Sequence, residues 1–183
     1  MSLRELRKEC EAGLADLPIP VPFSIPGLVA NMEAVRGRTI TLHELPDQLA
    51  RVNAACGLRL SSGTTSVVLY RRRPTEYQTQ HVILHELCHE WFDHGTTLDA
   101  EQLRKLLPVF DTSLINRVIA QPGATVQARA QYDTHDERMA EFGASLIPRI
   151  ARDMTSDDMV GRLAHSLSSP VARLRGGFFR RNA

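Results

Sequence analysis

One predicted helix restricts the fold of this chain more than any other feature. Its apolar residues indicate that the helix is buried, and yet it carries several ionisable side chains. Thr75 and Gln78 have the spacing of a capping box, so the pattern predicts a helix that begins at residues 74–75 and continues to about residue 93. Its apolar residues predict that it is buried, and they are Val82, Ile83, Leu84, Leu87 and Trp91. The run His85-Glu86-Leu87-Cys88-His89 lies among them.

The spacing of the two histidines in this run is typical of a metal site. Side chains four residues apart on a helix lie about one turn apart on one face, so His85 and His89 can direct their imidazoles at one point. Zinc binds imidazole nitrogen at about 2.0–2.1 Å. Glu86 would lie beside the open position of the metal, where its carboxylate can take a proton from the attacking water. The motif predicts a zinc-dependent hydrolase with Glu86 as its base; the alternative is a helix with two solvated histidines and no metal.

A third ligand does not follow directly in the sequence. One class of metallopeptidase places a glycine three residues and a histidine six residues after the second histidine, and here those positions hold Phe92 and Gly95. His94 is close by, but on a continuous helix it would lie about 140° around the axis from His89. We therefore expect His94 to be a surface or helix-end residue, and the third ligand to come from another segment.

The best source of that ligand is a helix predicted from residue 134 to about residue 147, just before Pro148. Glu137 and Glu141 are four residues apart on one face of it. One carboxylate would bind the metal, and the other would orient a ligand histidine through its second ring nitrogen. Alternatively, Thr134 and Glu137 have capping-box spacing, which needs no metal. Close packing against the histidine helix is predicted from three small residues, Ala140, Gly143 and Ala144.

The rest of the pattern predicts an α+β protein with a small three-stranded sheet packed against a mainly helical domain. With 183 residues, 43% of them apolar, the chain can bury one core, which we assign to residues 1–165. Period-two and β-branched patterns predict strands over residues 39–42, 57–60 and 65–70. Further helices are predicted over residues 3–14, 28–35, 47–55, 99–107 and 112–120.

Charge and cysteine content bear on location and partners. Lysine and arginine number 22 and the acidic residues 21, so a net charge of +1 gives no global attraction to nucleic acid or to an anionic membrane. Charged residues near the N-terminus argue against a signal peptide, and no run is apolar enough for a membrane span. The cysteines, Cys10, Cys56 and Cys88, are odd in number and far apart, as in a reduced protein. We expect a cytoplasmic location.

The C-terminal residues 166–183 are predicted to form a basic, mobile tail. Its final stretch has four arginines and no acidic residue; the arginines are Arg173, Arg175, Arg180 and Arg181. Together with Arg71-Arg72-Arg73, the tail allows a nucleic-acid surface as an alternative. Aromatic residues are sparse among these charges, so we expect solvated arginines and no direct nucleic-acid binding.

Several segments together resemble the ImmA/IrrE-like metallopeptidases of bacteria and their mobile elements, and particularly the actinobacterial branch of that family. The resemblance covers most of the chain. The residues that carry it are Gly37-Arg38-Thr39-Ile40-Thr41-Leu42, Cys56-Gly57-Leu58, the run from Gln80 to His89, and Glu137-Arg138-Met139-Ala140-Glu141.

The resemblance implies a zincin-like domain of the gluzincin type, in which Glu137 is the third zinc ligand and Glu141 takes the place of a polar residue behind the ligands. Two positions differ from the usual family pattern. Cys88 stands where the family usually has glycine, and Glu141 where many relatives have asparagine. Cys88 adds bulk beside the metal and a thiol that could respond to oxidation, or it is simply a small buried residue.

The resemblance also implies a cytoplasmic regulator of transcription or of a stress response. Its substrate would then be one partner protein, a helix-turn-helix repressor or an antitoxin-like protein. The alternative is a zinc-stabilised protein that sequesters a transcription factor without cutting it. The residue that stabilises the oxyanion is left open among four candidates, Tyr77, His81, Tyr132 and His135.

Overall fold

The described residues form four helices and one mixed sheet, which confirms the predicted combination of helices with a small sheet. The computed structural model describes residues 2–44, 57–62, 64–94, 96–97, 127–128 and 134–168. In chain order the elements are α1 (Leu3–Gly13), α2 (Ile25–Arg36), β1 (Thr39–Glu44), β2 (Gly57–Ser62), β3 (Thr65–Tyr70), α3 (Glu76–Trp91), β4 (Thr96–Thr97), β5 (Gln127–Ala128) and α4 (Thr134–Ser168).

The sheet has five strands in the order β1-β3-β2-β5-β4, so the predicted count of three is wrong. β1 runs parallel to β3, and the other neighbouring strands are antiparallel. The two additional strands, β4 and β5, have two residues each. A segment of that length carries no hydrophobic alternation, so the sequence gives no signal for it.

Two helices differ from their predicted bounds by three residues or more, and each of them has a proline at the point of difference. α2 begins three residues earlier than predicted, because the Ser24 side chain caps it and Pro26 occupies the first turn, where proline is tolerated. α4 continues through Pro148, so its predicted end at residue 147 is wrong. Burial of Ile147 and Ala151 on either side of Pro148 offsets the lost backbone hydrogen bond.

Several other predicted segments lie wholly or partly outside the described residues. The helices predicted over residues 47–55, 99–107 and 112–120 lie outside the described residues. Of the predicted tail, residues 166–168 belong to α4 and residues 169–183 lie outside the described part. Within the described ranges, no helix combines the length and the apolar composition that crossing a lipid bilayer demands.

Helix α3 occupies the centre of this fold. Its predicted capping box is present: Gln78 N–H donates to the Thr75 hydroxyl at 3.2 Å, and Thr75 N–H donates to the Gln78 side chain at 3.4 Å. Every residue from Val82 to Trp91 is buried, because β2 and β3 pack against one side of the helix and α4 against the other. The polar residues of the helix therefore need partners inside the protein.

On the sheet side, Glu90 provides the polar anchor. Its carboxylate accepts hydrogen bonds from Arg59 Nη1 at 2.8 Å, from Arg38 Nη1 at 3.0 Å and from Ser66 Oγ at 2.6 Å. Arg59 on β2 and Glu90 are both buried. Removing one partner of such a buried ion pair typically costs about 3–5 kcal/mol, so this network fixes α3 to the sheet.

On the α4 side, small residues bring the two helices close together, as predicted. Ala140 and Ala144 are fully buried, and a Cβ added to Gly143 would lie 2.6 Å from Cys88 Sγ. The missing side chain at residue 143 therefore makes room for the thiol. Burial raises the pKa of the Cys88 thiol well above its ordinary value, which disfavours the reactive thiolate and favours a packing role.

Replacing Gly143 with alanine tests this contact. The added Cβ must displace Cys88 Sγ, and overpacking typically costs about 1–3 kcal/mol, against a gain of about 0.5–1 kcal/mol from removing a helical glycine. We expect Gly143→Ala to lower the free energy of unfolding in the wild type. In a Cys88→Ala background the obstacle is absent, and the same change should raise it. Urea unfolding measures both; equal effects in the two backgrounds would contradict the contact.

Candidate metal centre

The two histidines of the motif meet at their Nε2 atoms. His85 and His89 lie one turn apart on α3, and both are buried. Their Nε2 atoms are 3.0 Å apart, and their rings are nearly perpendicular, with an interplanar angle of 82°. The alternative of two solvated histidines is not what the structure shows, because His89 is only 1% exposed.

Glu137 brings its carboxylate to the same point from the first turn of α4. Its Oε2 lies 3.4 Å from His85 Nε2, and its Oε1 lies 3.1 Å from His89 Nε2. Of the two glutamates considered from the sequence, Glu137 is therefore the one that faces both imidazoles. Among the described residues, His85, His89 and Glu137 form the one group of three or more histidine, cysteine or acidic side chains that could hold a metal ion.

The distances within this group suit a tetrahedrally coordinated metal ion such as zinc. With Zn–N and Zn–O bonds of about 2.0–2.2 Å, two ligands of a tetrahedral zinc are separated by about 3.3 Å. The three separations observed here are 3.0, 3.1 and 3.4 Å. Two imidazoles and one carboxylate also leave a fourth position open, as catalytic zinc sites do and structural sites do not.

Several carboxylates lie around the two histidines. Glu86 follows His85 on α3 and is 96% shielded from solvent, since its exposed fraction is 4%. Burial lowers the pKa of His85, but the hydrogen bond to Glu137 and the charges of Glu86, Glu137 and Glu141 together outweigh it, so the pKa is raised above 6.5. A site where carboxylates favour a charged imidazole also favours a bound cation.

Glu141 contacts the outer side of His85. Its Oε2 lies 3.4 Å from His85 Nδ1, and its Oε1 lies 3.0 Å from His81 Nε2. This is the position predicted for the carboxylate that orients a ligand histidine through its second nitrogen. His81, one of the oxyanion candidates, is thus placed against Glu141.

His94 lies just after the end of α3, so the helix-end alternative of the prediction is the one that the structure shows. Its side chain is not directed at solvent, because its Nδ1 lies 2.9 Å from His89 Nδ1. The prediction assumed a continuous helix, but α3 ends at Trp91 and Asp93 adopts a left-handed conformation with φ of 54°. The backbone N–H groups of Asp93 and His94 then donate to Glu90 O and His89 O, which is a Schellman motif. The reversal folds His94 back onto His89.

The remaining oxyanion candidates are dispersed. His135 Nε2 lies 3.2 Å from Glu9 on α1. Tyr77 is exposed in the first turn of α3. Tyr132 lies outside the described residues. The residue that stabilises the oxyanion stays unassigned among these candidates.

A cavity of about 390 Å³ adjoins the metal-binding group. It lies where α1, α3 and α4 meet, and part of its wall consists of metal-site residues while another part is apolar. Its lining residues are Leu3, Leu6, His85, Glu137, Arg138, Glu141 and Phe142. The proposed ligands are therefore reachable from a partly apolar recess.

Comparisons with protein-family models, with curated proteins and with solved structures found no match for this chain. The family resemblance drawn from the motifs therefore stays a prediction. What the structure adds is the convergence of His85, His89 and Glu137 from two different helices.

Metal content distinguishes the roles of the two glutamates on α4. We expect the purified wild type to bind about one zinc per chain, and Glu137→Ala to lose it because only two ligands remain. Glu141→Ala should still bind zinc, but with an affinity lower by about 10-fold to 100-fold, as is typical when a partner behind a ligand is removed. Elemental analysis and chelator competition give both quantities.

Asp153→Ala, an exposed acidic residue elsewhere on α4, is the matched control and should bind zinc like the wild type. Retention of zinc by Glu137→Ala with unchanged affinity would contradict the assignment of the third ligand.

Proposed function

We propose that this chain is a zinc-dependent endopeptidase that acts on a specific regulatory protein. The observation that carries the proposal is that Glu137 lies within 3.4 Å of both histidine Nε2 atoms while Glu86 is buried beside them on the same helix. Two histidines and a carboxylate also bind iron(II) in oxygenases. Hydrolysis needs an adjacent base as well, and Glu86 supplies one.

In the proposed reaction three residues bind the metal and Glu86 transfers the proton. Zinc, when held by His85, His89 and Glu137, would polarise the scissile carbonyl and make the attacking water more acidic. Glu86 accepts a proton from that water as its oxygen bonds to the carbonyl carbon. Glu86 then returns the proton to the amine nitrogen as the carbon–nitrogen bond breaks. The products are a new carboxyl terminus and a new amino terminus.

The adjoining cavity supports a peptide substrate. Leu3, Leu6 and Phe142 form an apolar wall beside the ligands, and burial of a large apolar side chain is worth about 1.5–3 kcal/mol. A substrate residue next to the scissile bond would place such a side chain there. Arg138, at the same cavity, adds a positive charge that can face an acidic group of the substrate.

The finer identity of the enzyme and its partner follows from the motif resemblance. We infer a zincin-like domain of the gluzincin type, related to the ImmA/IrrE metallopeptidases of bacteria. The substrate we propose is a helix-turn-helix repressor or an antitoxin-like protein, cleaved in the cytoplasm to change transcription. We expect no direct binding of nucleic acid by this chain, because a net charge of +1 gives no global attraction to a polyanion.

Glu86→Gln separates catalysis from metal binding. The amide keeps the size of the side chain but cannot accept the proton, so cleavage should fall by about 100-fold to 10,000-fold while zinc content stays unchanged. Mass spectrometry of a proteome-derived peptide library detects new termini. The intact mass of a candidate helix-turn-helix repressor, measured after incubation with this chain, tests the proposed partner.

Glu76→Gln makes the same chemical change at an exposed position on α3 and should cleave like the wild type. Normal cleavage by Glu86→Gln would refute the mechanism. A stable complex with the repressor and no fragments, even with zinc bound, would favour sequestration over proteolysis.

A further inference from the structure

A second histidine lies behind the ligand His89, and an acidic residue lies behind that histidine. His94 Nδ1 is 2.9 Å from His89 Nδ1, which is hydrogen-bonding distance. His94 Nε2, the other ring nitrogen, is 3.6 Å from Asp136 Oδ1. The two contacts connect His89 on α3 to Asp136 on α4 through one imidazole. Asp136 directly precedes the proposed ligand Glu137.

The fold holds His94 in this place. The Schellman motif at the end of α3 turns its backbone towards His89, and the buried Arg59 donates to the His94 carbonyl. The Phe92 ring lies against His94, with centroids 5.2 Å apart. The His94 side chain is only 13% exposed, so its orientation is set by the surrounding residues.

The proton between the two imidazoles has two possible arrangements when both rings are neutral. A nitrogen–nitrogen hydrogen bond needs one donor and one acceptor, and a neutral imidazole carries a single proton. If His89 Nδ1 donates, His89 Nε2 has a free lone pair for a metal, and the proton of His94 is on Nε2, towards Asp136. If His94 Nδ1 donates instead, the proton of His89 is on Nε2, where it blocks metal binding.

Asp136 favours the first of these two arrangements, whereas Glu137 Oε1, 3.1 Å from His89 Nε2, favours a proton on that nitrogen until a metal ion takes its place. At 3.6 Å its carboxylate is too distant for a strong hydrogen bond, so it acts mainly through its charge. A negative charge favours the His94 tautomer that has its proton on Nε2 and disfavours the one that presents a lone pair to the carboxylate. The favoured tautomer is the one in which His89 can bind the metal.

We propose that His94 and Asp136 are positioning residues that hold His89 in its metal-binding tautomer. The inference rests on the zinc centre of the proposed function and extends it to two residues outside the zinc motif. It gives His89 the kind of outer partner that Glu141 provides for His85, but through an intervening imidazole.

Zinc affinity, measured by competition with a chromophoric chelator, tests the arrangement. His94→Phe keeps a ring but removes the acceptor, and should weaken zinc binding by about 10-fold to 100-fold. His94→Gln can still accept from His89 Nδ1 and should recover part of the loss. Asp136→Asn should weaken binding in the wild type but have no further effect in the His94→Phe background, because its charge acts through His94.

Asp153→Asn is the matched control, and zinc affinity should not change. Urea unfolding of the metal-free variants separates a loss of zinc binding from a loss of folding. Nitrogen-15 NMR of the zinc-loaded protein gives a direct readout, and should show the proton of His94 on Nε2 and that of His89 on Nδ1.

Three outcomes would overturn the inference: equal zinc affinity of His94→Phe and the wild type, an undiminished effect of Asp136→Asn in the His94→Phe background, or a proton on His94 Nδ1 in the zinc-loaded protein. Zinc binding that depends on His94 in a protein without proteolytic activity would remove the proposed function and leave this inference standing.

Discussion

A helix that is buried on all sides must find a partner for every ionisable side chain it carries, because burying an unpaired charge costs several kcal/mol. Helix α3 is under this constraint from Val82 to Trp91. The sheet supplies Arg59 and Ser66 to Glu90, and the residue before β1, Arg38, adds a third partner. Helix α4 supplies Glu137 to the two histidines. The position of α3 between the sheet and α4 follows from these pairings as much as from apolar packing.

Helix α4 concentrates acidic residues at the point where it crosses α3. Asp136, Glu137 and Glu141 lie within six residues, and each faces a different part of the histidine cluster. Glu137 faces the Nε2 atoms of His85 and His89, and Glu141 faces Nδ1 of His85. Asp136 faces Nε2 of His94. The close approach at Gly143 keeps α4 near enough for these short side chains to reach. Helix packing and the proposed metal site are therefore coupled in one helix pair.

Local sequence signals were sufficient for the centre of the fold and for most of the candidate site. The capping box at Thr75 and the strand over residues 65–70 were predicted from short-range patterns and are confirmed. The spacing of His85 and His89 predicts that they share a site, and the family resemblance adds Glu137 to it. The capping box, the strand and the histidine pair depend on residues a few positions apart, which a single sequence displays, whereas the link to Glu137 does not.

The features that the sequence did not predict depend on contacts between distant segments. The contact of His94 with His89 was missed because a left-handed residue at Asp93 ended the helix, and an angle calculated for a continuous helix no longer applied. The end of α4 was misplaced because burial around Pro148 outweighs the local cost of proline. The partners of Glu90 lie more than twenty residues away in the sequence, and nothing in the local pattern names them.

We propose that His85, His89 and Glu137 together hold one zinc ion. The most direct test is a crystal structure of the zinc-loaded protein, with anomalous data collected on both sides of the zinc absorption edge. We expect one strong zinc peak within about 2.0–2.2 Å of both Nε2 atoms and of a Glu137 carboxylate oxygen. A zinc peak elsewhere, or a Glu137 side chain turned away from the ion, would contradict it.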